Sequence, residues 1–125
     1  MTLGDQELMA FSQTTQPARA KAFYGNVLGL PLEEDTPFAL VFRAGVTTLR
    51  VQKVEAFSAL AFTSLGWKVP DIRAAVRQLT HRGVAFERYP GMSQDVLGIW
   101  QSPSGAQVCW FKDPDGNTLS LTQFP

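Results

Sequence analysis

The order of strand-like and helical patterns repeats once along the chain, and this repeat limits the fold more than any other feature. The first copy has a strand-like run at 7–13, a helical pattern from Pro17 to Gly29, and strand-like runs at 30–34, 38–45 and 47–54. After a connector at 54–61, the second copy has a strand-like run at 62–69, a helical pattern from Asp71 to Gly83, and strand-like runs at 84–89, 96–103, 106–113 and 117–123. The repeat predicts an α+β fold of two βαβββ modules, with an ordinary α+β sandwich as the alternative.

Each helical pattern has an apolar stripe and residues that favour its start and end. The stripes consist of Ala20, Phe23, Tyr24, Val27 and Leu28 in the first and of Ile72, Ala75, Val76 and Leu79 in the second. Pro17 suits a first helical turn, Asp71 can cap the second helix, and a glycine can end each helix in a left-handed conformation. Near the C-terminus, "DPDG" at 113–116 predicts a hairpin turn, in which the aspartates serve the turn rather than catalysis.

Composition narrows the class of partner. The chain has 125 residues, 45% of them hydrophobic, and its eleven basic residues balance eleven acidic ones. This balance favours a small-molecule ligand and gives no reason to expect nucleic acid or a membrane surface. Cys109 is the only cysteine, so no intrachain disulfide can form, and the sequence contains neither a signal peptide nor a membrane-spanning run. We therefore expect a cytoplasmic protein, with Cys109 as a small buried hydrophobe rather than a reactive thiol.

Three segments that cover most of the chain resemble the vicinal oxygen chelate superfamily, which includes glyoxalases, bleomycin resistance proteins and extradiol dioxygenases. They are "ARAKAFYGNVLGLPLEED", "GWKVPDIRAAVRQLTHRGVAFE" and "WFKDPDGNTLSL". The resemblance implies a single domain over 1–125, with modules at about 5–54 and about 62–124. It also implies mixed sheets that curl around a cavity with the helices outside, and a homodimer.

The same resemblance places the superfamily's metal-ligand positions in this chain. Metal-dependent members have one ligand on the first strand and one on the last strand of each module, which here correspond to Met9, Arg50, Ser64 and Ser120. Divalent metals prefer histidine, carboxylate or thiolate donors, and a shift by one residue supplies none of these. The only histidine, His81, is expected in solvent near the end of the second helix. We therefore predict no metal and no other cofactor.

Residues on the same strand faces as these positions are predicted to line the cavity, because side chains alternate across a strand. The predicted ligand-binding residues are Met9, Phe11, Gln13, Arg50, Gln52, Ser64, Trp110 and Ser120. Such a pocket, mostly apolar with a few polar groups, is typical of small-molecule sites. Arg50 could anchor a carboxylate or phosphate, and Trp110 could stack on an aromatic ligand.

Each of these residues also has a simpler interpretation. Arg50 could point outward or pair with an acid such as Glu7, and Trp110 could be an ordinary core residue. Met9 could be packing filler, and both serines could bond to nearby backbone groups. The segment 88–98, "RYPGMSQDVLG", could cover the pocket as a lid or simply connect two strands.

Three functions fit this pattern. The first is a metal-independent protein that sequesters a small aromatic or amphipathic ligand, as bleomycin resistance proteins do. The second is a lyase, isomerase or dioxygenase of the same fold, which needs a metal, or Arg50 in its place, to stabilise developing negative charge. The third is a regulatory subunit with a vestigial cavity. Stoichiometric uptake of Zn, Ni, Mn or Fe with a rise in melting temperature would favour the enzyme.

Overall fold

The computed structural model describes residues 2–125. The chain divides into two compact units, one ending at Ser58 and the other running from Ala59 to Pro125. The boundary falls inside the connector at 54–61. Each unit contains one four-stranded mixed sheet, with a helical segment between its first and second strands, and a short 3-10 helix (Leu3–Asp5) precedes the first strand of the first unit. The predicted α+β fold of two βαβββ modules is therefore confirmed.

The two units have equivalent topologies. The first contains β1 (Met9–Thr14), α1 (Pro17–Ala22), β2 (Leu32–Asp35), β3 (Ala39–Ala44) and β4 (Thr47–Lys53). The second contains β5 (Thr63–Lys68), α2 (Ile72–His81), β6 (Trp100–Gln101), β7 (Gln107–Lys112) and β8 (Thr118–Gln123). The strand orders are β1-β4-β3-β2 and β5-β8-β7-β6. In each sheet the first and last strands of the unit pair in parallel, and the other pairs are antiparallel.

The first helix is shorter than its apolar stripe predicts, because it widens after Ala22 into a π-helical turn over Phe23–Val27. The Leu28 N–H donates to the carbonyl of Phe23 at 2.9 Å, five residues earlier. Tyr24 is buried in this turn, and its ring centroid lies 5.7 Å from that of Phe42 on β3. Gly29 then has a φ of +78°, which confirms the predicted left-handed stop.

The second helix agrees with its sequence pattern at both ends. The Asp71 carboxylate accepts a hydrogen bond from the Ala74 N–H at 3.1 Å, as an N-cap should. Ile72, Val76 and Leu79 are buried along one face of the helix, and Gly83 follows it with a φ of +96°.

The prediction of strands at 84–89 and 96–103 is wrong for most of these residues. In the first segment only Phe86 forms an isolated bridge, with Phe111, and the Glu87 N–H bonds to the Trp110 carbonyl. In the second segment only Trp100–Gln101 form a strand. Gly98 has a φ of +85°, which an extended strand does not allow, so regular pairing begins only after it.

One face of each sheet forms the core of its unit. The buried residues on this face include Leu40, Phe42, Leu49 and Val51 in the first unit, and Cys109, Phe111, Leu119 and Leu121 in the second. Register pairs these residues across neighbouring strands, for example Phe42 with Leu49 and Cys109 with Leu121. The opposite face of each sheet is not part of this core.

Cys109 is a free and fully buried cysteine, as predicted. Desolvation raises the pKa of Cys109 to about 12, so almost no thiolate is present at neutral pH. We expect dithiobis(nitrobenzoate) to modify the native protein at least about 100-fold more slowly than the same protein in concentrated guanidinium chloride. Rapid release of one thionitrobenzoate per native chain would contradict the buried, protonated thiol.

Candidate functional site

The predicted ligand-binding residues of the first unit lie on one face of its sheet. Register pairs Met9 with Thr48, Phe11 with Arg50, and Gln13 with Gln52, and Cα partners in adjacent strands point to the same side. Met9 is 50% exposed and Phe11 is 51% exposed. The opposite side of β1 and β4 contains Ser12, Leu49 and Val51, which are buried. Apolar surface and amide groups therefore share an accessible face around Arg50.

Arg50 is half-buried at the centre of this face. Its Cα partners are Phe11 on β1 and Val41 on β3, so its immediate neighbours across the sheet are apolar. Within residues 2–125 Arg50 makes no hydrogen bond or ion pair, and Glu7 is not its partner. Arg43, which shares the face, is instead ion-paired with Glu33, and this hydrogen-bonded pairing raises the pKa of Arg43.

In the second unit, Trp110 and Ser120 are Cα partners and therefore share a face. Ser120 is only 7% exposed, and it pairs on its other side with Gly66 of β5. A Cβ atom at residue 66 would lie 2.7 Å from the Ser120 Oγ, closer than real Cβ contacts allow. Gly66 therefore leaves the space that the Ser120 hydroxyl occupies.

Ser64 occupies an irregular position on β5. The register shifts between Thr63 and Leu65, so Ser64 has no Cα partner on β8. Its hydroxyl donates to the Thr118 carbonyl at 3.3 Å. The alternative in which Ser64 bonds to nearby backbone is thus the arrangement observed, and Ser64 remains exposed.

An aromatic cluster surrounds Trp110 and was not predicted from the sequence. The Tyr89 ring meets Trp110 edge to face with centroids 5.6 Å apart, and the Trp100 centroid lies 6.3 Å from that of Trp110. Trp100 is on β6, where register pairs it with Val108. Tyr89 comes from the segment that was considered as a lid. No local pattern indicates this cluster, because its members are brought together by pairing between strands.

Side-chain hydrogen bonds hold the segment 88–98 in place. The Gln94 amide accepts from the Tyr89 N–H at 2.8 Å and donates to the carbonyls of Glu87 and Gly98 at 2.9 Å. Asp95 accepts from Arg73 on α2 at 2.9 Å. These bonds favour the interpretation of segment 88–98 as a connector between two strands over its interpretation as a lid on the pocket.

Asp95 is the main anchor of this connector. Its carboxylate accepts from the backbone N–H groups of Leu97 and Ile99 at 2.9 and 3.0 Å. Partial burial raises the pKa of Asp95, but these hydrogen bonds and Arg73 outweigh it, so the pKa lies below its usual value. Because the folded-state pKa is lowered, this stabilisation is present above the ordinary aspartate pKa and is lost as acid protonates the folded carboxylate.

The comparison with family models gives one result that covers most of the chain. The model of the Glyoxalase/Bleomycin resistance protein/Dioxygenase superfamily matches residues 9–121. The chain belongs to this superfamily. No curated protein sequence matches it.

Solved structures of superfamily proteins share the fold. A lactoylglutathione lyase from Agrobacterium tumefaciens aligns at a TM-score of 0.73 and 15% identity, over 95% of this chain and 93% of that one. TnmS3, an antibiotic binding protein from Streptomyces sp. CB03234, aligns at 0.72 and 21%, over 97% of both chains. A superfamily member from Sphaerobacter thermophilus DSM 20745 aligns at 0.71 and 23%, over 94% and 96%. At these identities the likeness establishes the fold alone.

The four positions that the resemblance assigns to metal ligands have residue types that do not suit a divalent metal. The donors there are the thioether of Met9, the guanidinium of Arg50 and the hydroxyls of Ser64 and Ser120. A cationic side chain repels a metal ion, and neutral serines are weak ligands. Within residues 2–125 no group of three or more histidine, cysteine, aspartate or glutamate side chains is arranged to hold a metal. In the same residues no helix is long and apolar enough to cross a membrane.

Proposed function

We propose that this superfamily member binds and sequesters a small aromatic or amphipathic molecule without the help of a metal. The observation that supports the proposal most strongly is Arg50, a half-buried residue whose guanidinium has no partner among residues 2–125. An unpaired guanidinium on an accessible face can form charge-assisted hydrogen bonds with an added anion. Sequestration needs no nucleophile or general base, which agrees with the residue types at the predicted site.

The neighbours of Arg50 suggest an apolar body for the ligand. Phe11 and Met9 expose about half of their surface on the same face, and contact with a ligand would remove that apolar area from water. The second unit has an apolar surface of its own, where Trp110 offers a broad ring beside Tyr89 and Trp100. The antibiotic binding protein TnmS3, which shares the fold, is a precedent for such a function.

We propose the predicted site residues as the ligand contacts. They are Met9, Phe11, Gln13, Arg50 and Gln52 on the sheet of the first unit, and Ser64, Trp110 and Ser120 on the sheet of the second unit. Arg50 supplies the anion anchor, the aromatic and thioether side chains supply apolar contact, and the glutamines and serines supply hydrogen bonds. A homodimer, which the family resemblance suggests, belongs to the same proposal, and light scattering of the purified protein tests it.

Native mass spectrometry of the protein isolated from its own host is the direct test. The expected spectrum contains the chain mass plus the mass of one retained organic molecule, which is lost on denaturation. A spectrum with only bare chain, or with one divalent metal ion per chain, would contradict metal-free sequestration.

The Arg50 anchor can be tested with two matched probes. Anilinonaphthalene sulfonate carries an anion, and N-phenylnaphthylamine has the same aromatic body without it. Replacing Arg50 with methionine is expected to weaken sulfonate binding about tenfold or more, because a charge-assisted hydrogen bond is lost, and to leave binding of the neutral amine unchanged. Fluorescence titration measures both affinities.

A control separates the Arg50 site from a general effect of charge. Arg19→Met removes the same charge from helix α1 and is expected to leave both affinities unchanged. Equal sulfonate affinity in wild type and Arg50→Met would show that Arg50 does not anchor the anion.

A further inference from the structure

A pocket of about 400 Å³ lies in the second unit, beside the turn at 113–117. It is lined by residues 59–61, Tyr89, Lys112, Gly116 and Thr118. None of these was among the predicted ligand-binding residues. Lys112 and Thr118 are Cα partners on β7 and β8, so they stand side by side on the face that also contains Trp110 and Ser120.

Thr118 contributes a hydroxyl that has no partner among the described residues. The residue is 6% exposed, and its hydroxyl makes no hydrogen bond within residues 2–125. In the same range, no side-chain oxygen that is sealed from solvent lacks a partner. The Thr118 hydroxyl therefore still reaches open space, and the pocket that it lines provides that space.

Tyr89 adds a second hydroxyl to the same pocket. Its ring is fixed edge to face against Trp110, while its hydroxyl makes no hydrogen bond within the described residues. Burial, together with the nearby Glu87, raises the pKa of Tyr89. The phenol therefore stays protonated at neutral pH and can donate a hydrogen bond.

Lys112 supplies the positive charge. Its Nζ lies 3.8 Å from the Glu87 Oε1, which is within ion-pair distance but too long for a hydrogen bond. The ammonium donors thus remain available to a ligand. Because Glu87 offsets part of the charge, the local field suits a singly charged anion better than a phosphate dianion.

We infer that this pocket binds a small carboxylic acid with a short apolar body. The carboxylate pairs with Lys112 and accepts hydrogen bonds from Tyr89 and Thr118, while the alanine and leucine side chains of residues 59–61 contact the apolar part. The inference goes beyond the proposed function, because none of the residues that line the pocket is among the proposed ligand contacts. It can hold whether or not Arg50 anchors a ligand.

Benzoate and benzamide are matched probes for this pocket, since they have the same shape but only benzoate is charged. Amide chemical shifts of the labelled full chain should move on addition of benzoate at 59–61, 116 and 118, and should move much less with benzamide. Inorganic phosphate at the same concentration should not displace benzoate. Benzoate shifts that are scattered or confined to other residues, or stronger binding of phosphate at these same amides, would overturn the inference.

Single substitutions identify the groups that hold the carboxylate. Lys112→Met is expected to weaken benzoate binding about tenfold, and Tyr89→Phe and Thr118→Val about threefold each. Lys68→Met is the matched control, because Lys68 lies on β5 over the Phe124 ring and does not line the pocket. Lys112 is exposed, so its loss should not prevent folding. Unchanged benzoate affinity in Lys112→Met would overturn the inference.

Arg50→Met separates this inference from the proposed function. If Lys112→Met alone weakens benzoate binding, the pocket is the carboxylate site and is independent of the Arg50 anchor. If Arg50→Met alone weakens it, the pocket inference is wrong and the anion binds on the first sheet.

Discussion

Replacing Phe42 with alanine is expected to lower the free energy of unfolding by about 3–5 kcal/mol. Phe42 is fully buried on β3, where its ring packs against that of Tyr24 at the start of the π-helical turn. The substitution removes the largest side chain of this sheet face and leaves a cavity beneath the helix, which the surrounding residues can fill only in part. Denaturant unfolding at constant slope measures the loss.

Phe11→Ala is the matched control, since the same side chain is removed from the opposite face of the same sheet. Phe11 is half exposed, so we expect a loss of less than about 1 kcal/mol in stability. Under the proposed function, this variant should instead weaken binding of both naphthalene probes. Similar losses of stability in the two variants would mean that the two faces of β1 and β3 are assigned wrongly.

The assignment of faces is the part of the structure that the sequence predicts best. In β4, alternation distinguishes Leu49 and Val51 from Arg50, and the structure buries the first two and leaves the third accessible. The Asp71 cap and the two glycine stops likewise depend on local backbone geometry, which residue type determines directly. Such features need no knowledge of the rest of the fold.

Features that depend on pairing between distant segments are harder to predict from the sequence. The register shift at Ser64 is set by how β5 meets β8, and nothing in "FTSLGWKV" indicates it. Gly98 interrupts a run that otherwise alternates like a strand, and its positive φ is the reason why the predicted strand at 96–103 does not form over its full length. The aromatic cluster of Tyr89, Trp100 and Trp110 was missed for the same reason, because the three residues meet only after β6 pairs with β7.

The residue types at the superfamily's ligand positions also change what such a site could attract. A metal ion and a guanidinium are both cationic, so either can hold an anionic oxygen, but only the metal can accept it as an inner-sphere ligand. The resemblance places a carboxylate of metal-dependent members at Arg50, and we propose that the Arg50 guanidinium holds the ligand's anion directly.

Asp113→Ala is the second substitution with a large expected effect. The Asp113 carboxylate accepts from the backbone N–H groups of Asp115 and Asn117 at 3.0 and 2.9 Å, and from the Asn117 side-chain amide at 2.8 Å. Asp113 and Asn117 are both buried, so loss of the carboxylate removes three hydrogen bonds that water cannot readily replace. We expect stability to fall by about 2–4 kcal/mol in denaturant unfolding.

Exchanging Asp113 and Asn117 for each other keeps the net charge, so it tests whether this loss comes from the hydrogen bonds themselves. In Asp113→Asn, the new amide donor faces the amide donor of Asn117, so we expect a loss of about 1–2 kcal/mol. Adding Asn117→Asp restores a donor–acceptor pair in the reverse direction, and the double variant should regain most of that loss, with a coupling energy of about 1 kcal/mol or more. If the losses of stability in the single variants Asp113→Asn and Asn117→Asp simply add in the double variant, the carboxylate does not hold the turn. The same conclusion follows if Asp113→Ala is as stable as wild type. Because this turn joins β7 to β8, its hydrogen bonds also help to fix the register in which Lys112 stands beside Thr118.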